Sequence, residues 1–226
     1  MNEEEKQDPK MRAELNFFGR VMASISHEIN NVLTIVTEVG GLLEDLTYMA
    51  ENGRPINPEK LRLQCKRIAD QMQRGKTIIQ NMNRFAHSID EPIVTFDLAD
   101  AVRNTVKIAT RFAELKKTTI EYEPPDLICS ITDDPFFLRY IVFTFIDNAL
   151  QSGAINSPIR VEIKAAEGVA EVLVISEHYE YTERTLMQRQ TVDRLTEGTA
   201  WSVAESDENP DEKWLRLTVP LSAATS

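Results

Sequence analysis

The sequence is poor in the residues that cross-link, bind metal or span a membrane. It has two cysteines, Cys65 and Cys129, in no metal-type spacing with each other or with histidine. That excludes a disulfide framework and a cysteine metal site, so no metal ligands are expected and the thiols read as reduced and buried. Basic residues are in deficit, 25 against 36 acidic, giving a net charge of -11. A duplex-binding protein needs the opposite balance, which argues against nucleic acid as a partner. No apolar run approaches the ~18 residues of a membrane span, and the opening "MNEEEKQDPK" has no apolar core of a signal peptide. A cytoplasmic chain that does not enter a membrane is the expectation. If Met1 is the start, no sensory domain precedes the first helix. Internal repeats and low-complexity tracts are absent as well.

What is present is ordinary for a folded protein: 42% hydrophobic and 27% charged residues, in a length that suits one large domain or two modest ones. From Phe18 the apolar residues Met22, Ile25, Ile29, Val32, Val36, Val39, Leu43 and Leu46 follow in alternating steps of four and three, a heptad seam. "ENGRPINP" breaks it, and Asn57-Pro58 reads as an N-cap followed by proline at the first helical position. A second seam then runs Leu61, Cys65, Ile68, Met72, Gly75, Ile79, Met82, Ala86. Two such helices form an antiparallel hairpin that leaves part of each stripe open; dimerisation into a four-helix bundle closes it, the alternative being a hairpin capped by the rest of its own chain.

After "DEPIVTF" helical and β-like segments alternate. Asp97 caps a helix to about Lys117, and "TTIEYEP" reads as a strand. The aspartates before Pro135 cap a helix that ends at Gly153, and a hairpin turning at Glu167-Gly168 follows. A helix from Thr182 to Leu195, a strand near "AWSVAES" and a final strand "KWLRLTVPL" complete an α/β sandwich. The fold class is thus α+β: an N-terminus of ten residues, a helical hairpin over 11–90, and a sandwich over 91–226.

The first helix carries a polar cluster in its middle, "SISHEINNVLTIV". With Met22 and Ile29 at a and Ile25 and Val32 at d, His27 falls at f, the position farthest from the seam. Asn31 lies one turn on, and Glu28 at g can reach Asn31. A solvent-facing imidazole beside a carboxylate and an amide suits phosphoryl chemistry at nitrogen. In such a cluster Glu28 polarises the ring or takes its proton, and Asn31 orients a water or a phosphoryl oxygen.

This segment closely resembles the H-box of two-component sensor histidine kinases, and the resemblance covers roughly residues 11 to 90. It implies that His27 is phosphorylated and that Glu28 and Asn31 support the transfer; Val32 stands where the family often has proline. The second half resembles, more distantly, the family's ATP-binding domain. "DDPFFLRYIVFTFIDNALQSG" is similar to its N-box helix, so Asn148 matches the magnesium-holding asparagine, a vestigial cofactor residue here, while Thr144 replaces another asparagine.

The family's glycine-rich loops have no counterpart. "EHYEYTE" stands in place of Asp-x-Gly-x-Gly, and "ERTLMQRQTVDRL" holds no phosphate-cradling glycines. From Glu177 to Lys213 there are ten acidic and four basic residues, a balance that repels a triphosphate. The resemblance therefore implies a degenerate ATPase-like domain that binds no ATP or other cofactor stably. An intact phospho-acceptor hairpin on such a domain is similar to the homodimeric histidine phosphotransferases of phosphorelays, whose partners are response-regulator receiver domains that bring their own Mg2+. The alternatives are an atypical sensor histidine kinase or receiver phosphatase, and a non-catalytic dimeric scaffold. His87 and His178 read as structural. Arg103, Lys107 and Arg111 read as a solvated stripe, and Glu28, Ile35 and Leu42 form a ridge that widens the core or docks a receiver domain.

Overall fold

The computed structural model describes residues 9–90, 92–125, 127–152, 157–166, 168–177, 182–206 and 212–222. The chain divides into two compact units, Phe18–Ala86 and a second that joins the residues before it, up to Phe17, to those from His87 onward.

The first unit is the helical hairpin. Helix α1 runs Pro9–Glu51 and α2 runs Pro58–Ala86. The turn between them uses Gly53 at φ +79°, with Arg54 N–H donating to the Met49 carbonyl at 3.0 Å. Asn57 caps α2 as expected, its Oδ1 accepting from Glu59 N–H at 2.8 Å. On α1 the residues Ile25, Val32 and Val39, one per heptad, are buried, and the alternate seam positions Met22, Ile29, Val36 and Leu43 are half-buried. Gly75 lets α2 approach closely, since a Cβ there would lie 3.4 Å from Val32 Cγ1. Phe18 stacks on Phe85 at 5.6 Å between ring centroids.

The α2 stripe is displaced from the expected one. Its buried residues are Ile78 and Phe85, whereas Leu61, Cys65, Met72 and Ile79 are exposed. Two helices in contact bury only the narrow row that faces the partner helix, so the outer half of a seam wide enough for a bundle stays on the surface. The expectation of two buried thiols is corrected accordingly: Cys129 is buried, and Cys65 is exposed on this outer row.

The second unit is an α/β sandwich. A five-stranded mixed sheet has the order β2 (Ile120–Tyr122), β4 (Ile159–Ala166), β5 (Val169–Glu177), β7 (Glu212–Pro220), β6 (Ser202–Glu205). Among the described residues only the β2–β4 pairing is parallel. A separate antiparallel pair, β1 (Val94–Asp97) with β3 (Ser130–Asp133), was not legible in the sequence. Helix α3 (Leu98–Leu115) starts on Asp97, whose Oδ1 accepts from Ala99 N–H at 3.0 Å. Helix α4 (Pro135–Ser152) starts on Asp134, whose Oδ1 accepts from Phe136 and Phe137 N–H at 2.9 and 3.0 Å. Helix α5 (Glu183–Thr196) opens with a reciprocal Thr182–Thr185 cap. The expected stop at Gly153, and Glu167 of the hairpin turn, lie outside the described residues; Gly168 of that turn has φ +77°.

Helix α4 is the core of this unit, buried on nearly every side and packed on the sheet, α3 and α5. The first turns of α1 belong to the same packing. Phe17 lies against Phe136, Tyr140 and Phe143 at centroid distances of 5.4, 5.9 and 5.0 Å. Lys10 bonds Asp134 at 3.1 Å and lies 4.4 Å from the Phe137 ring centre, while Trp201 stacks on that ring and donates Nε1–H to Asp133 at 2.9 Å.

Candidate functional site

The polar cluster of α1 lies where the heptad reading places it. His27 is exposed, and Glu28 and Asn31 are half-buried beside the seam. The contact within the cluster differs from the expected one. Asn31 Nδ2 lies 3.2 Å from His27 Nδ1, and Glu28 makes no hydrogen bond or ion pair among the described residues. A short side chain on a helix leans back over the preceding turn, which brings residue 31 to residue 27 rather than to 28.

This contact sets the state of the ring. When the Asn31 N–H donates, Nδ1 is the acceptor and the neutral ring keeps its proton on Nε2. When the amide is turned end for end, its Oδ1 accepts from Nδ1–H and the lone pair stands on Nε2. In either state Asn31 occupies Nδ1, so Nε2 is the ring nitrogen open to an incoming group.

Of the other histidines, His87 has a partner of its own. His87 is exposed in a short 3-10 turn, His87–Ile89, and its Nδ1 pairs with Asp90 Oδ2 at 2.7 Å. His178 lies outside the described residues. Arg103 and Arg111 are tied to Asp100 and Glu114, each three residues away, as on an ordinary solvated helix face.

The α4 face of the sandwich carries the second candidate. Asn148 is fully buried, and among the described residues neither atom of its amide has a hydrogen-bond partner, nor does the buried hydroxyl of Ser152 nearby. Thr144 spends its hydroxyl on the Tyr140 carbonyl at 2.8 Å. Asp147, buried to 1% exposure, is bonded from α5 by Gln188 Nε2 at 3.1 Å and Arg184 at 3.4 Å. Sequence reading passed over this link; its one signal was a lone carboxylate inside the apolar run "FTFIDNAL". A nucleotide with magnesium asks for several oxygen donors on the cation and backbone N–H groups on the phosphates. The described residues offer one neutral amide next to a carboxylate already taken by α5, which falls short of that set. Among the described residues no group of three or more His, Cys, Asp or Glu is placed to hold a metal ion, and no helix is long and apolar enough to cross a membrane. Residues 178–181 of the segment in place of the first glycine-rich loop are not among those described.

The fold, a helical hairpin followed by an α+β sandwich, is similar to that of solved histidine kinase structures. Among solved structures, full-length ShkA in complex with AMPPNP matches over 87% of this chain and 47% of its own, at 16% identity and a TM-score of 0.50. The present chain thus spans about half of that protein. The histidine kinase AdeS of Acinetobacter baumannii matches over 87% of this chain and 98% of its own (12% identity, TM-score 0.49), and the catalytic domain of the histidine kinase ThkA over 58% and 98% (10% identity, TM-score 0.48). At such identities the likeness is one of fold. No family model matches the sequence, and no curated protein matches it.

Proposed function

We propose that this chain is a histidine phosphotransfer protein working between receiver domains in a cytoplasmic two-component phosphorelay. The observation that supports the reading is the exposed His27 ring with Nδ1 engaged by Asn31 at 3.2 Å, which leaves Nε2 as the nitrogen for reaction. In the state with Nδ1–H bonded to Asn31 Oδ1, the Nε2 lone pair attacks the phosphorus of a receiver's aspartyl phosphate in line. The P–O bond to the aspartate breaks, the carboxylate leaves with the electron pair, and a P–N bond forms. The ring becomes a phosphorylated imidazolium, whose positive charge the Glu28 carboxylate next to it in the chain favours. Attack by a second receiver's aspartate on the same phosphorus reverses the step. Magnesium comes with the receivers' acidic pockets and neutralises the phosphoryl oxygens. ATP has no role in the proposed cycle.

The working form is proposed to be a homodimer. Leu61, Met72 and Ile79 form an exposed apolar row on α2, and a second copy of the hairpin would cover it to make a four-helix bundle. Leu42, exposed on the ridge beside the seam, is offered to a docking receiver.

The test is to mix the purified chain with a panel of radiolabelled phospho-receivers and follow acid-labile, alkali-stable label. Label on the wild type and none on His27→Ala supports the relay. Labelling of His27 from nucleotide alone would overturn it in favour of a kinase, and loss of phospho-receiver without labelled histidine in favour of a phosphatase. Phospho-receivers that bind yet stay intact would point to a scaffold.

A further inference from the structure

The edge of the five-stranded sheet is incomplete. Strand β4 pairs with β5 along its whole length, Ile159 to Ala166 against Ser176 to Val169. On its other side β2 covers only Ile159, Arg160 and Val161. Ile159 N–H donates toward this side, to the Thr119 carbonyl at 2.9 Å. Backbone groups alternate along a strand, so Val161, Ile163 and Ala165 present theirs to the same side. β2 stops opposite Val161, followed by Glu123, Pro124 and Pro125. Proline has no N–H and cannot continue the ladder. Among the described residues the N–H and C=O groups of Ile163 and Ala165 have no strand partner on this side.

Beside this open edge lies a groove of about 590 Å³ bounded by Glu121, Glu123, Pro124, Pro125 and the β4 residues through Lys164. Its cations are committed: Lys164 pairs with Glu162 at 3.2 Å, and Arg160 has a partner of its own. Its carboxylates Glu121 and Glu123 are exposed and make no hydrogen bond or ion pair among the described residues. Glu121 pairs in register with Arg160, which puts it on the sheet face that also carries Glu162 and Lys164. Ile163 and Ala165 supply an apolar opposite face.

We propose that the outer edge of β4 at Ile163 and Ala165 is a strand-addition site for an extended segment of a partner protein, with apolar and basic residues in alternation. Main-chain bonds to Ile163 and Ala165 provide the attachment, and Glu121 and Glu123 select positive charge. The inference is independent of the chemistry at His27.

The probe is a ten-residue peptide of alternating valine and lysine, followed by amide hydrogen exchange and by titration of backbone amide resonances. In the free protein the Ile163 and Ala165 amides exchange freely, and saturating peptide slows them at least tenfold. Affinity falls at least tenfold for Ala165→Pro, which removes an outward donor and leaves the β5 ladder intact, and at least fivefold for a valine–glutamate peptide. A peptide N-methylated at alternate residues keeps the test sound if that variant unfolds, and it must also lose binding. Equal binding of the methylated peptide overturns the proposal. So does protection of both amides in the dilute free protein, which would mean that the chain covers its own edge, or protection that rises with protein concentration alone, which would assign the edge to a second copy.

Discussion

Asn31 Nδ2 lies 3.2 Å from Nδ1 of His27, one helical turn away on α1. The pair links a sequence spacing to a chemical state, because the amide decides which ring nitrogen is left for reaction. Under the proposed phosphotransfer, Asn31→Ala frees both nitrogens and removes that control. The initial rate of label transfer from a phospho-receiver is expected to fall about tenfold, the worth of one hydrogen bond of ~1–1.5 kcal/mol. An unchanged rate would mean that the contact has no part in transfer.

Asp147 tests how α5 is held to α4. Gln188→Ala removes a hydrogen bond to a carboxylate that is 1% exposed. Bonds to buried charges contribute more than neutral ones, and a loss of about 2 kcal/mol in urea unfolding is expected. Gln188→Glu should be worse, since it sets two carboxylates against each other. Stability of the glutamate variant equal to wild type would show the link to be incidental.

Phe17 is buried among three aromatic rings of α4. Truncation to alanine removes most of that contact and leaves a cavity, at a cost of about 3–5 kcal/mol. The far-UV and unfolding signals of the variant should show loss of the sandwich at lower urea. Leu is the control, and a smaller loss is expected of it.

Tyr122 gives a titration that optical absorbance can follow. Its hydroxyl donates to the Ala99 carbonyl at 3.0 Å, and burial, opposed in part by Arg103, pushes its pKa up from 10.0 to about 12. The fold favours the neutral phenol. Its contribution is therefore complete below pH 10 and is lost as pH rises through about 12. In phenolate absorbance Tyr122 and Tyr140, whose pKa burial also raises, should ionise late, and Tyr122→Phe should reduce the amplitude of that late step without removing it.

Much of the fold could be read from local rules. The caps at Asn57, Asp97 and Asp134, the break at Gly53 and the hairpin at Gly168 are where they were expected, because each depends on side chains within a few residues of the backbone they serve. The exposure of His27 followed from heptad position alone. The short β1–β3 pair escaped, since four-residue strands gain their partners across more than thirty residues and leave little periodicity behind.

The sequence by itself determined the helical hairpin, the α/β sandwich and the outward-facing His27 cluster, because periodicity and caps act at short range. Tertiary structure alone decided which half of the α2 stripe is buried, that Asn31 turns to the ring and not to Glu28, that α5 grips Asp147, and that β2 covers only the first three residues of β4. Each of these depends on which groups meet in space, and that is settled only when packing competes for every face at once.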